Sequence, residues 1–96
     1  MAERGLRTRR VGDQIQRDLS ELIRDSVRDP RLGSVTVSEV DVSRDLGHAQ
    51  VYVTALASSP EDSQACVRLL QRAAPFLRRE LGRRLRLRTI PQLHFH

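Results

Sequence analysis

The stretch VTVSEVDVSRDLGHAQVYVTAL, residues 35–56, decides the fold because it holds two runs of alternating β-branched residues. In the first run, Val35 and Val37 alternate, but Val40 and Val42 have the opposite parity. A strand that keeps one face buried must absorb this one-residue slip. The pattern therefore predicts a β-bulge near residues 38–39.

The second run predicts a strand over Ala49–Leu56, with alternate residues on one face. Ser43–Gly47 contains a turn-forming Ser-Arg-Asp and a glycine between the two runs. Because so short a connection cannot carry a crossover, the two strands are predicted to form an antiparallel hairpin.

A first helix is predicted upstream of the hairpin, over Arg9–Arg28, with Thr8 as its N-cap. Its apolar residues recur at helical steps: Val11, Ile15, Leu19, Leu22, Ile23 and Val27. Asp29-Pro30 ends it, since a residue before proline avoids helical geometry. Residues 1–8 are then a flexible basic arm.

A second helix is predicted downstream, where Ser59 caps and Pro60 takes the first helical position. Its apolar set is Cys66, Leu69, Leu70 and Ala73. Proline removes an amide donor, so Pro75 predicts a break or kink, with a further helical segment to about Arg83. The alternation of leucine and arginine beyond it predicts a final strand over Leu85–Phe95, with Pro91 marking an irregularity or an edge.

The predicted fold class is thus α+β, in the order helix, strand, strand, helix, kink, helix, strand. A three-stranded sheet would be covered by helices on one face. The length of 96 residues suits a single domain spanning residues 1–96.

The composition excludes several classes of protein. A single cysteine, Cys66, cannot form an internal disulfide, which fits a reducing, cytoplasmic location. No apolar run exceeds three residues, so the pattern predicts no membrane span. The helical spacing around Cys66 indicates a core residue rather than a nucleophile.

The basic charge is concentrated at one end of the chain. All 17 basic residues are arginines, and the formal net charge is +5. Residues 67–96 hold eight arginines against Glu80 alone, a balance of +7, whereas residues 1–66 are slightly acidic. A solvated surface normally mixes both signs of charge, so the last third indicates binding to nucleic acid.

Arginine suits this role because its guanidinium makes bidentate contacts with phosphate. The chain has only Tyr52, Phe76 and Phe95 as aromatic residues, and both phenylalanines fall in apolar patterns. Contacts to phosphate and shape should therefore outweigh base stacking. The arginines predicted to contact RNA are Arg78, Arg79, Arg83, Arg84, Arg86 and Arg88, with Arg7, Arg9 and Arg10 (together with Arg4) as a second basic arm, and Arg31 and Arg44 as further contacts.

Two other functions remain open from these residues. The basic surface also suits a protein-interaction module that meets an acidic protein. His94 and His96 would share one face of a strand, which allows a small hydrolase, but a metal site needs three or four ligands. His48 is predicted to be solvated in a turn. No metal and no cofactor are predicted.

The chain resembles the ribosome-binding factor A family along most of its length. The resemblance rests on Asp29-Pro30-Arg31, on Ser43-Arg44-Asp45-Leu46, on Phe76-Leu77-Arg78 and on Leu87-Arg88 with Pro91. It implies a type II KH-like fold, binding to the free small ribosomal subunit and its 16S rRNA, and a role in late maturation and 5′-end processing of that RNA. It also implies a cytoplasmic monomer, important in cold growth, with no catalysis, membrane or small-molecule substrate.

The sequence departs from the family pattern at two places. The family has an Ala-x-Gly helix kink where this chain has Ala73-Ala74-Pro75. Glycine permits a positive φ, whereas proline fixes φ near −65°, so the kink geometry should differ. The chain also stops at His96, where the family continues.

Overall fold

The computed structural model describes residues 5–27, 35–55 and 59–96. Its elements are α1 (Gly5–Ser26), β1 (Val35–Val42), β2 (His48–Ala55), α2 (Pro60–Arg84) and β3 (Gln92–Phe95). The strands form one sheet in the order β1-β2-β3, in which β1 and β2 are antiparallel and β2 and β3 are parallel. The predicted α+β class is confirmed, and the elements follow the order expected of the KH-like fold, except that a single helix stands where two helical segments were predicted.

The core lies between the two helices and one face of the sheet. Ile15 and Leu19 of α1 and Leu70 and Leu77 of α2 are fully buried, and they share a single cluster with Val51 of the central strand. Both helices therefore cover the same face of the sheet, as predicted. The other face, called the open sheet face below, is not covered by either helix.

The β-bulge is confirmed at the predicted place. Val37 pairs with Val53, and the register then shifts so that Glu39 pairs with Tyr52 and Val42 with Ala49. The extra residue lets the valines on both sides of residue 38 face the core. The bulge thus reconciles the two parities of the sequence.

The hairpin turn is closed by the Ser43–Gly47 segment. The Ser43 hydroxyl donates to Asp45 Oδ1 at 2.7 Å, and the same oxygen accepts the Gly47 amide at 2.9 Å. These bonds lower the pKa of the Asp45 carboxyl, the Ser43 hydroxyl being the larger cause. Leu46 has a positive φ of 60°, a conformation that the closed turn imposes on a non-glycine residue.

The first helix begins earlier than predicted. It starts at Gly5, so Thr8 is a buried residue within α1 rather than its N-cap, and residues 5–8 are helical rather than an arm. Residues 1–4 of that predicted arm lie outside the described residues. Gly12 lets α1 approach β1 closely, because a Cβ there would lie 2.7 Å from the Val40 carbonyl oxygen.

The second helix is continuous through Pro75. The two predicted helical segments are one helix, α2, so a break at Pro75 is wrong, and the kink at Ala73-Ala74-Pro75 stays a prediction. Pro75 is exposed to solvent, so a carbonyl that loses its helical partner there can bond to water. At the start of α2, Ser59 accepts the Asp62 amide at 3.1 Å and Pro60 is the first residue, as predicted.

The final strand is shorter than predicted. Only Gln92–Phe95 is a strand, and the segment from Leu85 to Pro91 is irregular. The backbone amides of Gln92 and His96 donate to β2. The backbone amides and carbonyls of residues 93 and 95 therefore point away from β2, towards the outer edge of the sheet. There Gln71 of α2 donates to the Leu93 carbonyl at 3.0 Å and accepts the Phe95 amide at 2.9 Å.

The opposite edge of the sheet has a similar arrangement. Because the Val53 amide is bonded to His96, the Val37 carbonyl opposite Val53 faces the outer edge of β1. Gln16 of α1 donates to this carbonyl at 3.1 Å and to that of Ser38 at 3.3 Å. Each helix therefore bonds one outer strand through a glutamine.

Candidate RNA-binding surface

A cleft of about 510 Å³ lies between the second half of α2 and the irregular segment that leads to β3. We call it the arginine cleft, and its lining residues are Pro75, Arg78, Arg79, Gly82, Arg88, Thr89 and Ile90. Three of the predicted arginines are therefore brought together. Thr89, Ile90 and Gly82 were not predicted, because they lack charge and only the tertiary fold brings them to the cleft.

Arg78 holds the cleft together. Its guanidinium donates from Nη2 and Nε to the Ile90 carbonyl at 2.8 and 3.1 Å, and from Nε to the Pro91 carbonyl at 3.3 Å. The side chain is half-buried, and Pro91 is fully buried. Arg78 thus fixes the irregular segment against α2, while its charge still contributes to the field in the cleft.

Arg79 and Arg88 are the cleft arginines that remain available to a ligand. Both are exposed, and within the part of the chain that the structure describes neither is paired with a carboxylate. Phosphate oxygens are the natural partners of such guanidinium groups, because a bidentate, charge-assisted contact satisfies both. The arrangement therefore suits the binding of an anionic backbone.

Arg83 and Arg84 differ from the two free arginines. Arg84 Nη1 lies 2.9 Å from Glu21 Oε1 and 3.8 Å from Asp18 Oδ1, so it bridges α2 to α1. Arg83 extends into solvent and lies 3.8 Å from Glu80. The predicted strand face of Arg84, Arg86 and Arg88 is wrong, because Arg84 ends α2 and the other two lie in the irregular segment.

The arginines predicted as a second basic arm lie on α1. Arg7 and Arg10 are exposed there. Arg9 lines a different cleft of about 220 Å³, whose lining includes the carboxylates of Asp13, Glu39 and Asp41. Arg9 is therefore placed among acidic groups, away from the arginine cleft. Arg4 and Arg31 lie outside the described residues, and Arg44 is exposed in the hairpin turn.

One exposed stripe of α2 continues from the arginine cleft. We call it the α2 ridge; its members are solvent-exposed and recur at helical steps: Arg68, Arg72, Phe76, Arg79 and Arg83. Phe76 was predicted to belong to an apolar pattern, but its side chain is 36% exposed. Helical spacing could have predicted this exposure. The buried series of α2 runs through Leu70, Ala74 and Leu77, and Phe76 lies outside it.

The open sheet face has a different chemistry. Pairing across the strands places these residues on it: Thr36, Glu39, Asp41, His48, Gln50, Tyr52, Thr54, Gln92 and His94. His48 Nδ1 lies 2.9 Å from His94 Nε2 and the two rings are stacked. His96 stacks on Tyr52 and bonds to Gln50, so His94 and His96 do share this face as predicted. Among the described residues, none of those that form the face is an arginine.

The described residues contain neither a cluster of metal ligands nor a membrane-spanning helix. No group of three or more histidine, cysteine or carboxylate side chains there is arranged to hold a metal ion. Neither described helix has the length and apolar content needed to cross a membrane. Cys66 is buried in the core, as predicted.

Comparison with known proteins gives one consistent family. The family model for "Ribosome-binding factor A" matches residues 7–96. Ribosome-binding factor A of Alkalilimnicola ehrlichii is 67% identical over 93% of this chain and 68% of its own length, and that of Pseudomonas putida is 55% identical over all of this chain and 74% of its own length.

Solved structures agree with the sequence relatives. The crystal structure of ribosome-binding factor A from Thermus thermophilus superimposes with a TM-score of 0.82 at 35% identity, covering 93% of each chain. A Thermus thermophilus homology model fitted into a cryo-electron microscopy map of a 30S–RbfA complex has a TM-score of 0.74 at 37% identity, covering 88% of this chain and 87% of that one. The relatives therefore share both the sequence and the fold.

Proposed function

Because the chain belongs to the ribosome-binding factor A family, we propose that it binds the free small ribosomal subunit through 16S rRNA. It would support late maturation of the subunit and processing of the 5′ end of that RNA. The proposal is supported by the relative that was fitted into a map of a 30S complex. It describes a non-enzymatic assembly factor that acts as a cytoplasmic monomer, takes no small-molecule substrate or cofactor, and matters most in cold growth.

The observation that carries the proposal is the arginine cleft with the adjoining α2 ridge. Arg79 and Arg88 are exposed and lack carboxylate partners among the described residues. Phosphate groups supply the negative charge that such a surface lacks, and they are the commonest contact of arginine in nucleic-acid complexes. The cleft would therefore position the protein on the RNA backbone.

Co-sedimentation tests the proposal directly. The purified chain would be centrifuged with free small subunits, free large subunits and joined ribosomes over a series of salt concentrations. We expect selective pelleting with free small subunits, weakening as salt rises because counterions released from phosphates are the driving force. Equal binding to all three particles, or to none, would overturn the assignment. Binding that does not weaken with salt would contradict arginine–phosphate contacts as its basis.

A further inference from the structure

Phe76 exposes an aromatic ring on an otherwise charged surface. It is one of three large hydrophobic side chains exposed among the described residues, with Leu6 and Tyr52, and the one on α2. It belongs neither to the buried core nor to the partly buried residues packed against that core. The exposed part, 36% of the residue, is not buried on folding and so adds nothing to the stability of the fold. A binding role would account for its position.

The neighbours of Phe76 on the helix are arginines. Arg72 and Arg79, four residues before and three residues after, lie next to the ring on the helix surface, and both are exposed. The seven residue steps from Arg72 to Arg79 correspond to about 10 Å along the helix axis. Glu80 is also within reach, but it is half-buried and lies 3.8 Å from Arg83. The ring is thus bracketed by two positive charges.

We infer that Phe76 stacks on an unpaired nucleobase of RNA, while Arg72 and Arg79 contact the phosphates beside it. The inference rests on the proposed function and specifies its ligand as single-stranded RNA. Every nucleobase has a flat face that stacks on an aromatic ring, whereas in a duplex these faces are covered by neighbouring bases. A protein partner would offer its own apolar pocket to Phe76, but the flanking guanidinium groups favour a ligand that joins aromatic faces to regularly spaced anions.

Fluorescence gives a direct test because the chain contains no tryptophan. Phe76→Trp introduces a single reporter on the α2 ridge, to be titrated at low salt with a single-stranded RNA of about 12 nucleotides, within the site sizes of single-strand binders. We expect saturable quenching by the single strand and little by a duplex of the same length. Tyr52→Trp places the reporter on the open sheet face and is the matched control, whose emission should not change.

Affinity measurements separate stacking from charge. Phe76→Ala should weaken binding of the single strand by roughly 5- to 150-fold, the usual range for losing one stacked base. The salt dependence should stay unchanged because phenylalanine carries no charge. Arg79→Gln should instead reduce the log–log salt slope by about 0.7. Phe76→Tyr preserves an aromatic face and should restore most of the affinity, and circular dichroism confirms that each variant is folded.

The possible outcomes distinguish failure of the stacking inference from failure of the proposed function. If Phe76→Ala binds single-stranded RNA as tightly as the unmodified chain, or weakens single and double strands equally, the stacking inference is wrong. Quenching of Phe76→Trp by an acidic peptide such as poly-glutamate, rather than by RNA, would also overturn it in favour of a protein partner. In each case, continued salt-sensitive pelleting of the unmodified chain with free small subunits would leave the proposed function standing.

Discussion

The two sides of this small domain have opposite chemistry. The α2 side carries the arginine cleft and the α2 ridge, whereas the described residues of the open sheet face include Glu39, Asp41 and histidines but no arginine. A modest net charge of +5 conceals this separation. The difference shows that a protein with a small net positive charge can concentrate its exposed arginines on one side. If the proposed function holds, such a molecule would approach RNA with its α2 side and keep its open sheet face outward.

The largest expected effect comes from removing the free arginines of the cleft. The double variant Arg79→Gln/Arg88→Gln should bind free small subunits about 100-fold more weakly, because two charge-assisted contacts are lost. Its log–log salt slope should become shallower by about 1.5 to 2. Both quantities are measured by sedimentation across a salt series.

A matched control removes two arginines from elsewhere. Arg17→Gln/Arg24→Gln changes the net charge by the same amount but alters exposed residues of α1, where Arg17 bonds to Gln14 and Arg24 lies 3.7 Å from Asp25. Its affinity should stay within a few-fold of the unmodified chain, as expected for charges outside the contact. Equal losses in both double variants would show that only net charge matters, and the comparison between the two sides would fail.

The next effect is on stability, and it should differ between Arg78 and Arg79 of the cleft. Arg78→Gln should lower the free energy of unfolding by about 1–2 kcal/mol, because the Ile90 and Pro91 carbonyls lose a charged donor. Arg79→Gln should change it by less than about 0.5 kcal/mol, as is usual for an exposed side chain. The free energy of unfolding of both variants is measured by urea denaturation under the same conditions. Equal destabilisation would contradict the division into a structural and a free arginine.

A smaller effect is expected at the bridge between the helices. Arg84→Gln should lower stability by about 0.5 kcal/mol, because its nearer partner Glu21 is exposed, and the buried Asp18 is 3.8 Å away and also bonded to Gln14. Raising the salt concentration should shrink the difference between variant and unmodified chain. A difference that persists in high salt would indicate that packing, rather than charge, dominates this contact.

The smallest effect lies in the turn that borders the open sheet face. The pKa of Asp45 is lowered from 3.8 by bonds from Ser43 and Gly47. Since the folded pKa is depressed, the ionised carboxylate stabilises the turn above pH 3.8, and this contribution is lost as the pH falls through the folded pKa. Carboxyl chemical shifts during an acid titration should show Asp45 titrating below 3.8, whereas in Ser43→Ala it should move towards the ordinary value. An unchanged titration would assign the shift to another cause.

The sequence predicted the features that depend on local pattern. The parity slip between Val37 and Val40 required a bulge, and Ser59-Pro60 marked the start of α2. Other features depended on contacts distant in sequence. The alternation of Leu85 and Leu87 with arginines is typical of a strand, but Arg78 holds the end of this segment through backbone carbonyls, and β3 begins only at Gln92. Pro75 was expected to break or kink α2, yet the helix is unbroken there and the proline is exposed.

The sequence located the candidate site, but it could not show which arginines are available to a ligand and which are paired within the protein. Clustered charge identified the last third of the chain as the basic region, and Arg78, Arg79 and Arg88 do line one cleft. Charge alone could not distinguish Arg84, which bridges to α1, from Arg79, which is free of carboxylates among the described residues. Nor could it show that Arg9 lies among carboxylates. These distinctions arise from partners contributed by other elements.

The two glutamines that bond the outer strands have a consequence for self-association. The outer strand of a sheet normally presents unpaired amides and carbonyls, which invite another chain to add a strand. Here the side-chain amide of Gln71 donates to the Leu93 carbonyl and accepts the Phe95 amide, as the backbone of an added strand would. At the other edge, Gln16 donates to the Val37 carbonyl of β1. Strand addition at these points must first displace bonds already made. The sheet is thereby discouraged from growing into a fibre by the addition of strands at its edges.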